Sequence, residues 1–223
     1  MRLAKIRPIS MNSTTDTKQA LSVAVFARAP VPGSTKTRLI PAVGSSGAAS
    51  LHKRMLEASL QAATAAGVGP VTLAITEPHP YFGVLRAKFG IEVAQQTTGD
   101  LGQRMLWAIE KGLARSSGAC VAGSDCPSMT PQDFCETRDA LGSGADLVLG
   151  PAADGGYYLV AMSRPLDFLF TALEWGGSEV LSDTLARAGA NDLRVELLAK
   201  RHDIDEPQDL AHLPRQWGYD AGG

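Results

Sequence analysis

The sequence predicts an α/β fold: a mostly parallel central sheet with helices on both faces, three layers in all. Three observations carry this. Short apolar runs alternate with segments of helical period. The runs are continuously apolar, as strands buried on both faces must be. The chain of 223 residues is long enough for one α/β domain and short for two.

The elements follow in order. The first strand, SVAVFA at 22–27, breaks into the Pro/Gly loop APVPGSTKTRL, and a helical period runs over 48–66. VTLAIT at 71–76 is the second strand, followed by a helix over 81–89, the strand IEVAQ at 91–95 and a helix over 101–116. ACVAGS at 119–124 leads through a proline loop into a helix over 131–141. Thr130 and Pro131 mark its start, an N-cap residue before a first-turn proline. ADLVLG at 145–150 and YYLVAM at 157–162 flank an Asp-Gly turn signal. A helix covers 178–188, and LRVELLA at 193–199 is the last strand. No repeat or interior linker interrupts 21–213, which reads as a single domain. Residues 1–20, basic and Ser/Thr-rich, read as a disordered tail, with Met11 a candidate natural start, and 214–223 as a C-terminal tail.

Charge is nearly balanced, 21 Lys and Arg against 23 Asp and Glu, which argues against bulk binding to nucleic acid or to an anionic membrane. No apolar run reaches the length of a membrane span, and the N-terminal stretch lacks a signal-peptide core. Cys120, Cys126 and Cys135 cannot all pair and show no zinc-type spacing, so a reduced, cytoplasmic setting is expected.

In such sheets ligands sit at the carboxyl ends of the strands, so the loops after strands are where chemistry is expected. In APVPGSTKTRL, Thr35 precedes Lys36 where a Walker A loop has Gly, and Pro30 takes the position of its earlier Gly. Pro41 then stands where the following helix should grow. The loop is therefore not a P-loop. Gly33, Lys36 and Arg38 still form a candidate phosphate grip, the lysine a point charge and the arginine a fork, with Thr35, Thr37 and main-chain N–H groups assisting. A solvated basic loop explains the same residues.

GSDCPSMTPQDF places Asp125 directly after a strand, where a carboxylate can hold Mg²⁺ together with substrate phosphates or simply cap a turn. Cys126 beside it, with no paired His in view, reads as a small packed cysteine. GPAADGGYYLV sets Asp154 before Gly155 and Gly156, which suits a tight hairpin or a close backbone approach to a ligand. In HDIDEPQDL, Asp203 and Asp205 share one side if the segment is extended, and Asp205 also reads as an N-cap before Pro207. His202 reads as a surface or hydrogen-bonded residue rather than a ligand.

Together FARAPVPGSTKTRL, GDLGQRM, GSDCPSMTP, LGPAADGGYYLV, WGGSEVLSDTL and DIDEPQDL resemble, in this order, the DUF2064 family. That family is often labelled selenodomain-associated or arsenosugar-type glycosyltransferase-like. It belongs to the nucleotide-diphospho-sugar transferase superfamily with its GT-A-like fold. The resemblance runs from about Leu21 to about Leu213; Glu206 and Gln208 stand where threonine and glutamate are common in the family.

The resemblance implies the following roles. Lys36 and Arg38, on the loop of Gly33, lie by the nucleotide phosphates. Asp125 coordinates a divalent metal, Mg²⁺ or Mn²⁺, and Asp205 supplies a second carboxylate, with Asp203 its fallback. Asp154, Gly155 and Gly156 line the sugar or acceptor side, with Asp154 the candidate base. Arg104 reaches a phosphate or pairs with a carboxylate. Trp175 is a sugar platform or a core or lid aromatic. Asp125, Asp154 and Lys36 are then the catalytic candidates.

The implied activity is that of a metal-dependent glycosyltransferase using a nucleotide-sugar donor and a small-molecule acceptor. A nucleotidyltransferase releasing pyrophosphate is the alternative, favoured by the two cations Lys36 and Arg38. A non-catalytic nucleotide-binding protein is the third reading. Either reaction requires that the loops after SVAVFA and ACVAGS open on one sheet edge and that Asp125 and Asp205 converge. Such convergence should raise at least one of their pKa values.

Overall fold

The computed structural model describes residues 20–218. All of the expected N-terminal tail except Ala20, and with it Met1 and Met11, lies outside the described residues. The strands are β1 (Leu21–Ala27), β2 (Val71–Ile75), β3 (Glu92–Gln95), β4 (Gly118–Ala122), β5 (Leu147–Pro151), β6 (Tyr157–Met162) and β7 (Val195–Leu197). The α-helices are α1 (Ile40–Ala65), α2 (Pro80–Phe89), α3 (Leu101–Leu113), α4 (Pro131–Gly142) and α5 (Val180–Ala190). Across the sheet the order is β3-β2-β1-β4-β6-β5-β7. Strand β6 runs antiparallel to β4 and β5, and the other pairings are parallel. The expected mostly parallel, three-layer α/β architecture is what forms.

Strand β4 shows why the runs are apolar throughout. Cys120 and Ala122 join the core under α1, α2 and α4, which includes Leu56, Leu60, Phe82, Leu85 and Phe134. Ala119 and Val121 join the opposite core, with Met105 and Ile109 of α3 and Ala188 of α5. Alternate residues thus serve two faces, and both faces are covered. Among the described residues no helix is long and apolar enough to cross a membrane.

Two differences from the sequence reading have clear causes. Helix α1 begins at Ile40, well before residue 48, and Pro41 sits in its first turn. A first-turn proline loses no intrahelical bond, so it is tolerated there rather than disruptive. The irregularity falls instead at Gly44, whose φ of 71° and ψ of 165° kink the helix. At the other end the chain keeps its structure from 214 to 218, and the rest of the expected C-terminal tail, 219–223, lies outside the described residues. A 3-10 turn spans Arg215–Trp217, and Arg54 of α1 donates to the Trp217 carbonyl at 2.9 Å while lying over its ring. A third apolar cluster, with Leu39, Met55, Ile204, Leu210 and Leu213, fixes the C-terminal segment to α1. Each such buried side chain contributes roughly 1.5–3 kcal/mol. This cluster anchors residues 203–205 beside the loop that follows β1.

Candidate functional site

Strand β1 pairs with β2 on one side and β4 on the other. The chain direction across the sheet reverses there, so the loops after β1 and β4 diverge and leave a crevice at the carboxyl edge. Lys36 comes from the first loop and Asp125 from the second, and they meet as an ion pair of 2.9 Å. The antiparallel β6 brings its start, Tyr157 and Tyr158, to the same edge. The expectation that both loops open on one edge holds.

Asp205 completes the centre. Its Oδ1 accepts from the Lys36 ammonium at 2.5 Å, and the Ile204 carbonyl accepts from it at 2.7 Å. The Ile204 N–H in turn donates to the Asp125 carbonyl at 2.9 Å. The three strand-end segments are therefore tied through one nitrogen and one main-chain bond. Lys36 holds a left-handed backbone, φ 51° and ψ 47°, which costs a non-glycine residue about 1–3 kcal/mol and requires surrounding structure to hold it.

This arrangement corrects two expectations. Lys36 does not present a free ammonium to a phosphate: its side chain is 5% exposed and its N–H groups face two carboxylates and a carbonyl. Nor does the convergence raise the Asp125 pKa. Burial acts to raise it, but the Lys36 ammonium and His52 outweigh burial and hold it well below the usual carboxylate range. Lys36 shows the reciprocal effect. Burial disfavours its charge, yet Asp125 and Asp205 together hold its pKa above the ordinary value. The raised carboxyl is Asp203, pushed up to about 6 by burial and then by the charges of Asp154 and Asp205.

Two cavities open along this edge. The larger, about 480 Å³, is lined by Arg28, Lys36, Arg38 and Arg104 together with His52 and Gln96. The smaller, about 250 Å³, is lined by Asp154, Asp203, Gly156, Trp175 and Tyr157. Asp125 and Asp205 line both and form the seam between them.

Arg38 is 70% exposed, 3.8 Å from Glu206. Arg104 donates to Gln96 Oε1 and to the Asp100 carbonyl, both at 3.3 Å, so it pairs with neutral acceptors on the cavity wall. Gly33 lines neither cavity. It supplies the positive φ of 84° that turns the loop. Thr35 is buried and bonds its own loop, donating to the Ala29 carbonyl at 2.6 Å, and so is taken from the expected phosphate grip.

The Asp154-Gly155-Gly156 segment is the hairpin tip between β5 and β6, and it also reaches the smaller cavity through Asp154 and Gly156. Gly155 serves packing. Its φ is 93°, a Cβ there would lie 2.0 Å from the Ser178 carbonyl oxygen, and its own carbonyl accepts from Leu181 N–H of α5. Asp154 Oδ1 accepts from the Gly156 N–H at 2.8 Å. Trp175 seats against α3, where a Cβ on Gly102 would meet its ring at 2.7 Å. Thus GDLGQRM and WGGSEVLSDTL act as a packing pair. The N-cap of the 3-10 segment Pro207–His212 is Glu206 and not Asp205, because Asp209 closes a capping box with Glu206. That leaves the Asp205 carboxylate for Lys36. Asp203 and Asp205 do share one side, with Ile204 buried between them. Cys126 is buried with a raised pKa, as a packed cysteine should be.

His52 and Arg28 were not singled out from sequence. His52 Nε2 donates to the Arg28 carbonyl at 3.1 Å, and its Nδ1 lies 3.8 Å from Asp125 Oδ1. A single His inside a helical run carries no signal. Arg28, directly after β1, was detectable by the rule that selected the other strand-end residues.

The chemistry of Asp125 and Asp205 fits a hard divalent cation. Their Oδ1 atoms are on Lys36, and both side chains are about two-fifths exposed toward the cavities. Among the described residues no group of three or more His, Cys, Asp or Glu forms a complete cage. A cation there would take its other ligands from water and substrate phosphates, as Mg²⁺ does.

The mostly parallel sheet with its crevice at the carboxyl edge has the fold of nucleotide-diphospho-sugar transferases, as the structural comparison shows. The chain belongs to the DUF2064 family, described as uncharacterized proteins conserved in bacteria, and the match spans residues 59–177. That span holds Arg104, Asp125, Asp154 and Trp175 and leaves Lys36, Arg38 and Asp205 outside it. No curated protein matches the sequence. Among solved structures, a provisionally named nucleotide-diphospho-sugar transferase from Desulfovibrio desulfuricans G20 is 26% identical, with TM-score 0.80 over 89% of this chain and 87% of its own. The 4-diphosphocytidyl-2C-methyl-D-erythritol synthase of Anaerococcus prevotii DSM 20548 is 13% identical, with TM-score 0.61 over 92% and 98%. Glucosyl-3-phosphoglycerate synthase of Mycobacterium tuberculosis, in complex with Mn²⁺, UDP and glucosyl-3-phosphoglycerate, is 14% identical, with TM-score 0.54 over 85% and 74%. By family and fold the chain groups with nucleotide-utilising transferases.

Proposed function

We propose that the chain transfers a glycosyl group from a nucleotide-sugar donor in the larger cavity to an acceptor in the smaller one, with Mg²⁺ or Mn²⁺ at Asp125 and Asp205. One observation carries this reading: the arginines line only the larger cavity, while the carboxylate pair lines both. Phosphates need cations, so the donor diphosphate belongs on the arginine side. The sugar then lies across the seam. Bound at the pair, the metal would neutralise charge developing on the departing diphosphate.

The protein's own groups do the rest. Lys36 holds Asp125 in its ionised form and sets the spacing of the two carboxylates. Arg28, Arg38 and Arg104 bind and orient phosphate oxygens, the preorganised stabilisation that is worth about 2.7–4 kcal/mol per contact in comparable sites. The Mn²⁺ and UDP bound by the mycobacterial synthase support the same class of donor.

Nucleotidyl transfer is less well supported. Its basis was two free cations for a triphosphate, and Lys36 is already paired. Its usual acceptor also carries phosphate, and among the described residues no Lys, Arg or His lines the smaller cavity. The test is product release. With Mn²⁺ and a panel of nucleotide sugars, the protein should release nucleoside diphosphate, and Asp125→Asn should abolish the Mn²⁺-dependent binding of those donors. Pyrophosphate release from nucleoside triphosphates, with no diphosphate from nucleotide sugars, would refute glycosyl transfer.

A further inference from the structure

Four carboxylates, those of Asp125, Asp154, Asp203 and Asp205, line the smaller cavity, with no Lys, Arg or His among its lining residues. We infer that the acceptor held there is a small polyhydroxyl compound without negative charge, a single sugar ring or polyol, and that phosphorylated or carboxylated acceptors are excluded. The inference rests on the glycosyl-transfer reading and names the acceptor class for it.

Size comes first. At about 250 Å³ the cavity falls just below the roughly 300–1,000 Å³ of pockets that hold drug-sized ligands. It suits a single ring rather than an oligosaccharide.

Charge decides the class. Lys36 offsets part of the charge of Asp125 and Asp205, but it lines the larger cavity and not this one. A divalent cation on that pair would offset the pair's own charge and leave Asp154 and Asp203 with no Lys, Arg or His facing them in the cavity. An entering phosphate meets these like charges without a protein cation, and such juxtaposition disfavours a partner. Ionised carboxylates only accept hydrogen bonds, so they select a ligand rich in donors.

Trp175 and Tyr157 also line the cavity, and since the Trp175 Nε1 and the Tyr157 hydroxyl are buried, the two side chains present ring surface to it. The Trp175 ring, braced by Phe170 with centroids 6.1 Å apart, adds an apolar plate against which a sugar's C–H face can lie.

The test reads binding directly, without turnover. The chain has three tryptophans, so Trp107→Phe with Trp217→Phe leaves Trp175 as the sole reporter. Its emission is titrated with glucose and myo-inositol, and with glucose 6-phosphate and glycerol 3-phosphate. Calorimetry on the unmodified protein repeats each titration in case the reporter variant folds poorly. At least one uncharged polyol should bind and change Trp175 emission, and the phosphates should bind at least about tenfold more weakly. Asp154→Asn with Asp203→Asn should narrow that gap several-fold. A phosphate that binds as tightly as its parent polyol overturns the inference. So does no uncharged polyol binding to the unmodified protein at about 100 mM, far above common substrate KM values. A separate titration with UDP-glucose and Mn²⁺ keeps the two readings distinct. Polyol binding with no donor binding would sink glycosyl transfer and leave the assignment of the cavity standing.

Discussion

Replacing Lys36 by methionine keeps most of the stem and removes the ammonium, which makes it the sharpest probe of the centre. Two carboxylate oxygens that lie 2.9 and 2.5 Å from one nitrogen are at most about 5.4 Å apart. At an effective dielectric constant of about 20, two unit charges at that distance repel by about 3 kcal/mol. Breaking a fully buried pair costs about 3–5 kcal/mol, but Asp125 and Asp205 are 42% and 41% exposed and regain some water. The expected loss is therefore about 2–3 kcal/mol at pH 7.5. Its pH dependence follows from the sign of the shift. In the wild type the Asp125 pKa is depressed, so its contribution is present above the unfolded value near 3.8 and is lost as pH falls below it. The deficit of Lys36→Met should thus shrink between pH 7.5 and pH 3. Urea unfolding with chelator present, followed by circular dichroism at both pH values, measures it. A deficit below about 0.5 kcal/mol at pH 7.5, or one unchanged at pH 3, would refute the closed Asp125–Lys36–Asp205 centre.

Further outcomes follow from the same geometry. Asp203 has its carboxyl raised to about 6, so the native state loses stability as pH rises from about 4 to about 6 and does not regain it above. Asp203→Asn should stabilise the chelated protein by about 1 kcal/mol at pH 8, the full shift being discounted for partial exposure, and leave it unchanged at pH 4; thermal melts at both pH values decide this. Gly155→Ala adds a methyl at a positive φ against the Ser178 carbonyl and should cost at least about 2 kcal/mol in urea unfolding, whereas a loss under 0.5 would mean that the hairpin tip is not packed on α5. Arg38→Ala and Arg104→Ala should each weaken UDP binding and leave uridine binding nearly unchanged, with the Arg38 effect fading at high salt because that side chain is exposed; calorimetry at low and high salt would show equal losses for both ligands if these arginines do not meet phosphate.

The local chemistry along the chain was enough to determine the layers and most of the elements. Continuous apolar runs such as SVAVFA and ACVAG, short and followed by Gly or Pro loops, read as strands covered on both faces, and Thr130-Pro131 marks a helix start by its own hydrogen-bonding needs. The same reasoning picked out strand-end residues, and Lys36, Asp125 and Asp205 do meet although far apart in sequence. What sequence left open was who pairs with whom. Lys36 reads as a phosphate ligand because a lone basic loop suggests an external anion. Only the cluster of Ile204, Leu210 and Leu213 on α1 brings Asp205 within 2.5 Å and turns that cation inward. Gly102 and Gly155 look like helix and turn glycines until Trp175 and Ser178 are packed against them. His52 belongs to the site only because α1 passes under the loop after β1. Secondary structure is set by neighbours in sequence, through period, capping and backbone sterics. Charge pairing, pKa and the division of one crevice into a cationic and an acidic half depend on distances between segments, and those exist only once the sheet order and the third core are formed.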